Sequence, residues 1–274
     1  MTSFHNKAKM ILLELLVVLS SLIIVFPLLM MIFGSLKTPM EAAQFNIKLP
    51  TEWKFDNYSF VFHAGGIMRA FYNSVIITSF ATLATVVMSS AAAFVIARRN
   101  TRLTEMMYIF FLIGIIAPMQ IVTTYALLKA LGLMGSFLGV ILVNAAINVP
   151  FSIFLYCGFI KSIPRDLDEA AAIDGCGSYR LFARIILPLL LPVVASNVIF
   201  LVLGIWNDIM LPLYFLSGTK WPLPLMVYKF FGQYFSNWNY VFADLIISAI
   251  PVVVLFLTAQ KYIVSGVVAG AVKG

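Results

Sequence analysis

Residues 130–160 read A-L-G-L-M-G-S-F-L-G-V-I-L-V-N-A-A-I-N-V-P-F-S-I-F-L-Y-C-G-F-I, a run without one Asp, Glu, Lys or Arg. A helix needs about 20 apolar residues to cross the hydrocarbon core of a bilayer. Ala130–Ile160 exceeds that length, and so do Leu15–Leu36, Ala70–Ala97, Met106–Leu128 and Ile185–Asn207. A sixth run, Leu245–Gln260, is shorter. Val241–Val264 reaches the length if Asp244 and Lys261 lie at the two interfaces and snorkel. The pattern predicts an all-α polytopic membrane protein with six transmembrane helices.

Composition points the same way. Of 274 residues, 62% are hydrophobic and 11% charged, with a mean hydropathy of +1.01. Soluble domains run at about 45–50% apolar and about 25% charged, so a water-soluble globule is excluded. The formal charge of +7 is read as topology rather than as nucleic-acid binding, because basic residues collect on the cytoplasmic side of membrane helices. Lys7 and Lys9 favour a cytoplasmic start, and six spans return the C-terminus to the cytoplasm. The short run Arg98-Arg99-Asn100-Thr101-Arg102 then falls inside, as do Lys161, Arg165, Arg180 and Arg184. The first span is too long for a secretory leader, and no small-x-small site follows it before Gly34. Two cysteines, Cys157 and Cys176, and two histidines, His5 and His63, supply no disulfide framework, zinc cage or haem site.

Two outer segments are long. Residues 37–69 carry Pro39, Pro50, Trp53 and Gly65-Gly66, and read as an ordered loop with short elements. Residues 216–240 carry Trp221, Tyr228, Phe230, Phe231, Tyr234, Phe235, Trp238 and Tyr240, which suit an interfacial belt or a docking surface for an external partner.

The run from Lys161 to Pro188, K-S-I-P-R-D-L-D-E-A-A-A-I-D-G-C-G-S-Y-R-L-F-A-R-I-I-L-P, departs from all of this, with four charges of each sign. Pro164 suits a first helical position. Asp166, Asp168 and Glu169 fill the opening turns, where the helix dipole favours negative charge. Leu167, Ala170, Ala171 and Asp174 share one face, and Gly175 supplies the stop. The result is a helix of about 11 residues, roughly 16 Å long. Ser178 is expected to cap a second helix, ended by Pro188 at the mouth of the fifth span. A helix this short is marginal alone in water, so its small-residue face is expected to dock on another surface.

Glu169-Ala170-Ala171, then three residues, Gly175, nine more, Ile185, one more and Leu187-Pro188 resembles the cytoplasmic E-A-A-x3-G-x9-I-x-L-P signature of membrane subunits of bacterial ATP-binding-cassette importers. Trp206-Asn207-Asp208 with Pro212-Leu213, and the tail Gln260–Val264 ending in Ala269–Gly274, resemble carbohydrate-importer permeases, specifically the smaller permease of the maltose-type pair. The resemblance implies a single permease domain over 1–274, with a first span and outer loop at 10–69 and a core at 70–274 that holds the coupling loop 161–188. It places the protein in the bacterial plasma (inner) membrane. It also implies a heterodimer with a second permease, two ATPase subunits beneath, an extracytoplasmic solute-binding protein and a sugar substrate. Glu169, Ala170, Ala171, Asp174 and Gly175 would then form a coupling helix between spans 4 and 5, seated in an ATPase groove, and the C-terminal tail would reach toward the ATPase pair.

Nothing in the chain fits G-x-x-x-x-G-K-[ST], so it is not expected to be an enzyme or to bind a cofactor itself, and ATP and Mg belong to the partner ATPases. Asn144 and Asn148 one turn apart, Asn197 and Asn207 are candidates for the sugar path, against a structural reading as helix–helix hydrogen bonds. Gln120 follows Pro118 in the third span. Asp208 reads as a gate or an end cap near the outer interface. Competing readings are an importer permease for an amino acid or peptide, a self-contained secondary transporter, which would need deeper charges, and a membrane enzyme, for which no H-E-x-x-H or G-x-S-x-G is present.

Overall fold

The computed structural model describes residues 2–232 and 237–271, with backbone alone at 2–8, 11–12, 64–65 and 260–271. Tyr234, Phe235, the end of the tail and the side chain of Lys261 lie outside what is described. No β-strand forms among the described residues. In chain order the helices are α1 (Thr2–Ser35), α2 (Pro39–Ala42), α3 (Asp56–Gly65), α4 (Ile67–Arg98), α5 (Arg102–Ile116), α6 (Ile121–Ala130) and α7 (Phe137–Ser162). They continue with α8 (Asp166–Ile173), α9 (Ser178–Leu181), α10 (Leu187–Trp206), α11 (Met210–Phe215) and α12 (Trp238–Ala271).

Among the described residues, five stretches are long and apolar enough to cross a membrane: Leu13–Ser35, Ile67–Arg98, Phe137–Ser162, Ser178–Trp206 and Trp238–Ala259. The remaining expected span, Met106–Leu128, is not straight. Helices α5 and α6 meet at a bend of 119°. Pro118 has no N–H to give and pushes its predecessor out of helical geometry; Ala117 accordingly sits at φ −65°, ψ 120°. The fourth span starts later than Ala130, because Gly132 and Gly135 take positive φ in the turn ahead of α7.

The chain divides into two compact units, one of residues up to 68 with 226–250, the other of 69–225 with 251 onward. In the first, the expected ordered loop is present. Thr38 and Glu41 form a reciprocal cap on α2, and Glu41 also accepts from the N–H and hydroxyl of Thr51. These hydrogen bonds, that from the Thr51 hydroxyl foremost, hold the Glu41 carboxyl down at about 2. Asn57 donates from Nδ2 to the carbonyls of Ser35 and Lys37 at 2.8 and 2.9 Å, and its Oδ1 accepts from Asn239 Nδ2 at 2.9 Å.

The aromatics at the start of α12 pack onto this loop. Tyr240 stacks on Phe60, Trp238 meets Phe45 edge-on, and a side chain at Gly34 would collide with Phe242. Of the residues read as a belt or docking surface, Phe230 is buried and Trp238 and Tyr240 are partly so, whereas Tyr228 and Phe231 remain exposed. Asp244 does not snorkel. Helix α12 begins three residues earlier than expected, which draws Asp244 into the interior at 0% exposure, with Lys229 as the opposing charge within reach.

In the second unit α7 is the hub, packed by α5 on one side and α10 on another. Lipid tails are as apolar as leucine, so close packing and hydrogen bonds, rather than the hydrophobic effect, hold such helices together. Small residues make the approach possible. Ala93 and Ala97 of α4 are buried against Ile153, Tyr156 and Ile160 of α7, and a Cβ at Gly114 of α5 would lie 3.1 Å from Pro150. Asn73 Nδ2 donates to the carbonyls of Thr219 and Trp221, and Ser74 Oγ accepts from the Leu223 N–H at 2.8 Å, which fixes 219–223 against α4.

Candidate functional site

The segment after α7 forms from strictly local chemistry. Ile163, preceding Pro164, is extended as that proline requires (φ −77°, ψ 125°). Arg165 becomes the N-cap, and its carbonyl accepts from Asp168 and Glu169 at 2.8 and 3.1 Å. Helix α8 has 8 residues rather than the expected 11 or so, because Pro164 lies ahead of the cap instead of inside the first turn. Asp166, Asp168 and Glu169 do occupy that turn. At the other end Gly175 is left-handed at φ +74°. Its N–H donates to Ala172, and the Cys176 N–H donates to Ala171, at 3.0 and 2.9 Å. This pair of bonds is a Schellman stop.

Of the expected face, only Ala171 turns inward, at 4% exposure; Ala170, Leu167 and Asp174 are open, as are Glu169 and Gly175. Ile173 and Tyr179 are more than four-fifths exposed. Apolar groups left bare on a short polar helix suit a surface that another body covers.

Two expectations about the second helix are corrected. Ser178 is not its cap: Gly177 occupies that position and no side chain bonds there. Pro188 does not end the helix. After α9 the chain makes one π turn, Phe182–Ile186, and runs directly into α10. The wider turn lies immediately ahead of Pro188, whose missing N–H already interrupts the ordinary ladder. The polar loop is thereby continuous with a membrane span, Ser178–Trp206.

One residue at this site was read only as a topology marker. Arg98, the last residue of α4, reaches across to α8, with Nε 2.8 Å from Asp168 Oδ2 and Nη1 donating to the Ile163 carbonyl at 3.1 Å. The Asp168 contact is an ion pair by distance, its N–H not aligned on the carboxylate. The two side chains are 9% and 20% exposed, so this pair is far less solvated than an ordinary surface bridge. Complementary charge in two loops on one side of the membrane was the available signal.

The four asparagines separate. Asn197 is 1% exposed and donates from Nδ2 to Ser152 Oγ and Tyr156 Oη of α7, at 2.9 and 2.8 Å. It ties α10 to α7. Asn144 and Asn148 each donate to the carbonyl one turn back, Val140 and Asn144 respectively, the first buried and the second half-buried. Asn207 is exposed and donates to Leu203. The structure therefore joins Asn144, Asn148 and Asn197 along one side of α7 through Ser152, whose hydroxyl donates to the Asn148 carbonyl, and leaves Asn207 apart at the end of α10. Asp208 Oδ1 accepts from the N–H groups of Met210 and Leu211 at 2.9 and 3.3 Å, opening α11. Burial pushes its carboxyl above the usual range, opposed by those two backbone donors.

Known proteins can be set beside this geometry. The model of a family described as "Binding-protein-dependent transport system inner membrane component" matches residues 85–268, from the second span through the loop and α10 into α12. The chain is similar to the multiple sugar-binding transport system permease protein of Streptococcus mutans, at 35% identity over 265 residues, 94% of this chain and 95% of the relative. It is similar to the melibiose/raffinose/stachyose import permease protein of Bacillus subtilis, at 37% over 229 residues, 82% and 83% of the two chains. A chain of a bacterial ABC transporter involved in the import of the acidic polysaccharide alginate shares the fold, with a TM-score of 0.80 at 20% identity over 94% of this chain and 97% of that one. On the matched model and these full-length likenesses, the chain belongs to the family of binding-protein-dependent transport system inner membrane components, a multi-pass transport subunit.

Proposed function

We propose that this chain is the membrane-spanning subunit of an ATP-driven importer for a sugar or oligosaccharide, a single permease domain forming the pathway with a second permease. In this reading the bent pair α5–α6 counts as the third of six spans, both termini face the cytoplasm, and an extracytoplasmic binding protein delivers the sugar on the opposite side. Helix α8 seats in a groove of one of two ATPase subunits, which bind the ATP and Mg. Glu169, Ala170, Ala171, Asp174 and Gly175 line that contact, and Arg98 fixes the angle of α8 to α4. Among the asparagines, the exposed amide of Asn207 and the half-buried one of Asn148 suit sugar hydroxyls, whereas Asn144 and Asn197 are buried and Asn197 serves to hold α10 on α7.

The observation that carries the reading is α8 itself: a polar helix outside the spans, acidic in its first turn, closed by a Schellman stop and bare on its outer face, followed across a short link by α9, which runs through a π turn into α10. Shifting a two-state gate from 1:99 to 99:1 takes about 5.5 kcal/mol of differential interaction, and α8 is the rigid route by which a partner delivers it. Affinity purification of the membrane complex, with mass spectrometry of the co-purifying subunits, should recover an ATPase pair and a second permease. Proteoliposomes of that complex should then take up sugar only with ATP and the binding protein. A solitary chain that transports without nucleotide overturns the proposal.

A further inference from the structure

The corner between α4 and α5 holds a cleft of about 710 Å³ that the coupling geometry does not use. Its rim carries three cations from three places in the sequence: Arg99 after α4, Arg102 opening α5 and Lys161 near the end of α7. All three are exposed, and among the described residues none forms an ion pair with a carboxylate. Glu105 is the one acidic residue on the lining, which leaves a net charge of +2.

The corner is built rather than frayed. Thr101 and Thr104 cap α5 reciprocally, and Thr104 Oγ1 donates to the Arg99 carbonyl at 2.7 Å, so both arginines project from a fixed turn. Lys161 Nζ stands 4.9 Å from the centre of the Tyr108 ring, held by a cation–π contact. Below the rim the lining becomes apolar. Ile109 and Leu112 continue along α5, and Ile109 is half exposed.

A ring of cations above an apolar wall, at the level where membrane helices end, matches one ligand chemistry: an anionic phosphodiester carrying acyl chains. A free phosphate has no use for the wall. We propose that this cleft is a binding site for the headgroup of an anionic phospholipid, its phosphate among Arg99, Arg102 and Lys161 and its first methylenes along Ile109 and Leu112. The inference rests on the chain being embedded in a bilayer with this end at a headgroup layer, and on neither sugar nor nucleotide.

The test is native mass spectrometry of the purified transporter complex, exchanged into mixed micelles of phosphatidylglycerol and phosphatidylcholine. The wild-type complex should retain phosphatidylglycerol selectively. R99Q/R102Q/K161Q should lose that selectivity by roughly fivefold per charge removed, whereas K48Q/K129Q, which removes charge away from the cleft, should not. If the triple variant assembles poorly, K161Q alone, with Tyr108 left in place, serves at reduced amplitude. Inorganic phosphate and glycerol 1-phosphate added at millimolar concentration should not displace the lipid. Unchanged retention in the triple variant overturns the assignment. So does displacement by inorganic phosphate, which would reassign the cleft to a free anion. Lipid counting involves no transport step, so its failure is distinguishable from a failure of the importer reading.

Discussion

Gly175 is the position at which backbone strain and docking can be told apart. Its φ of +74° is left-handed, yet a Cβ placed there meets nothing within 4 Å. Within this chain, Gly175→Ala and Gly175→Leu therefore cost the same thing: about 1–2 kcal/mol of left-handed strain. Gly175→Asn costs less, since asparagine enters that region more readily. If strain were the whole effect, the order of damage would be Ala equal to Leu, with Asn mildest. If an ATPase groove closes over the turn, side-chain volume takes over, and Ala becomes mildest, Asn intermediate and Leu worst. The assay is the ratio of sugar transported to ATP hydrolysed in proteoliposomes holding the full set of subunits, with the thermal midpoint of each variant alongside. Gly175→Leu should lower that ratio by about tenfold or more, equivalent to about 1.4 kcal/mol beyond the strain, while hydrolysis persists and the midpoint moves only by a few degrees. Equal ratios for Ala and Leu, with Asn closest to wild type, refute a groove at this turn.

Three other outcomes follow from contacts within the fold. Arg98→Ala strands Asp168 at 20% exposure and should cost about 1–3 kcal/mol of stability; with Asp168→Ala, the double variant should lose less than the sum of the two in a thermal double-mutant cycle. Glu41 is lowered in the fold from 4.5 to about 2, so its contribution is fully present above pH 4.5 and lost as pH falls toward 2. Hydrogen exchange over residues 38–51, corrected for intrinsic rates, should accelerate only in that window, and Glu41→Gln should remove the pH dependence. Burial raises the Asp208 carboxyl, so its charged form weakens the fold as pH rises past the usual carboxylate range. Asp208→Asn should keep the hydrogen bonds from the Met210 and Leu211 N–H groups and match or exceed wild-type stability at pH 7, and Asp208→Ala should lose about 1 kcal/mol.

What the sequence disclosed was whatever is decided within a few residues. The acidic first turn of α8 and the left-handed stop at Gly175 depend on neighbours alone, and both were legible. Prolines mark the limit of such reasoning. Pro27, Pro150, Pro192 and Pro251 sit inside helices that continue, whereas Pro118 ends one, and only packing around each distinguishes them. Pro188 belongs with the former group because the π turn ahead of it absorbs the missing bond. The role of Arg98 depends on Asp168, far away in the chain, and no periodicity links them. Asn197 looks like any other amide on an apolar helix until Tyr156 and Ser152 of α7 are seen to face it. Asp244 was misjudged through an error of three residues in where α12 starts, nearly one helical turn.

The unbroken passage from Ser178 through Trp206 has a mechanical corollary. A rod of 29 residues is about 43 Å long, so pivoting it by about 5° swings its far tip by about 4 Å, comparable to the width of a hydroxyl-bearing ring edge. Between α8 and that rod lies only the link 174–177, so a push on α8 has to cross Gly175 and Gly177 before it reaches the shaft that ends at Asn207 and Asp208. The over-wide turn at Phe182–Ile186 is where a residue of register could slip along that shaft, and Pro192 within α10 is where it could bend.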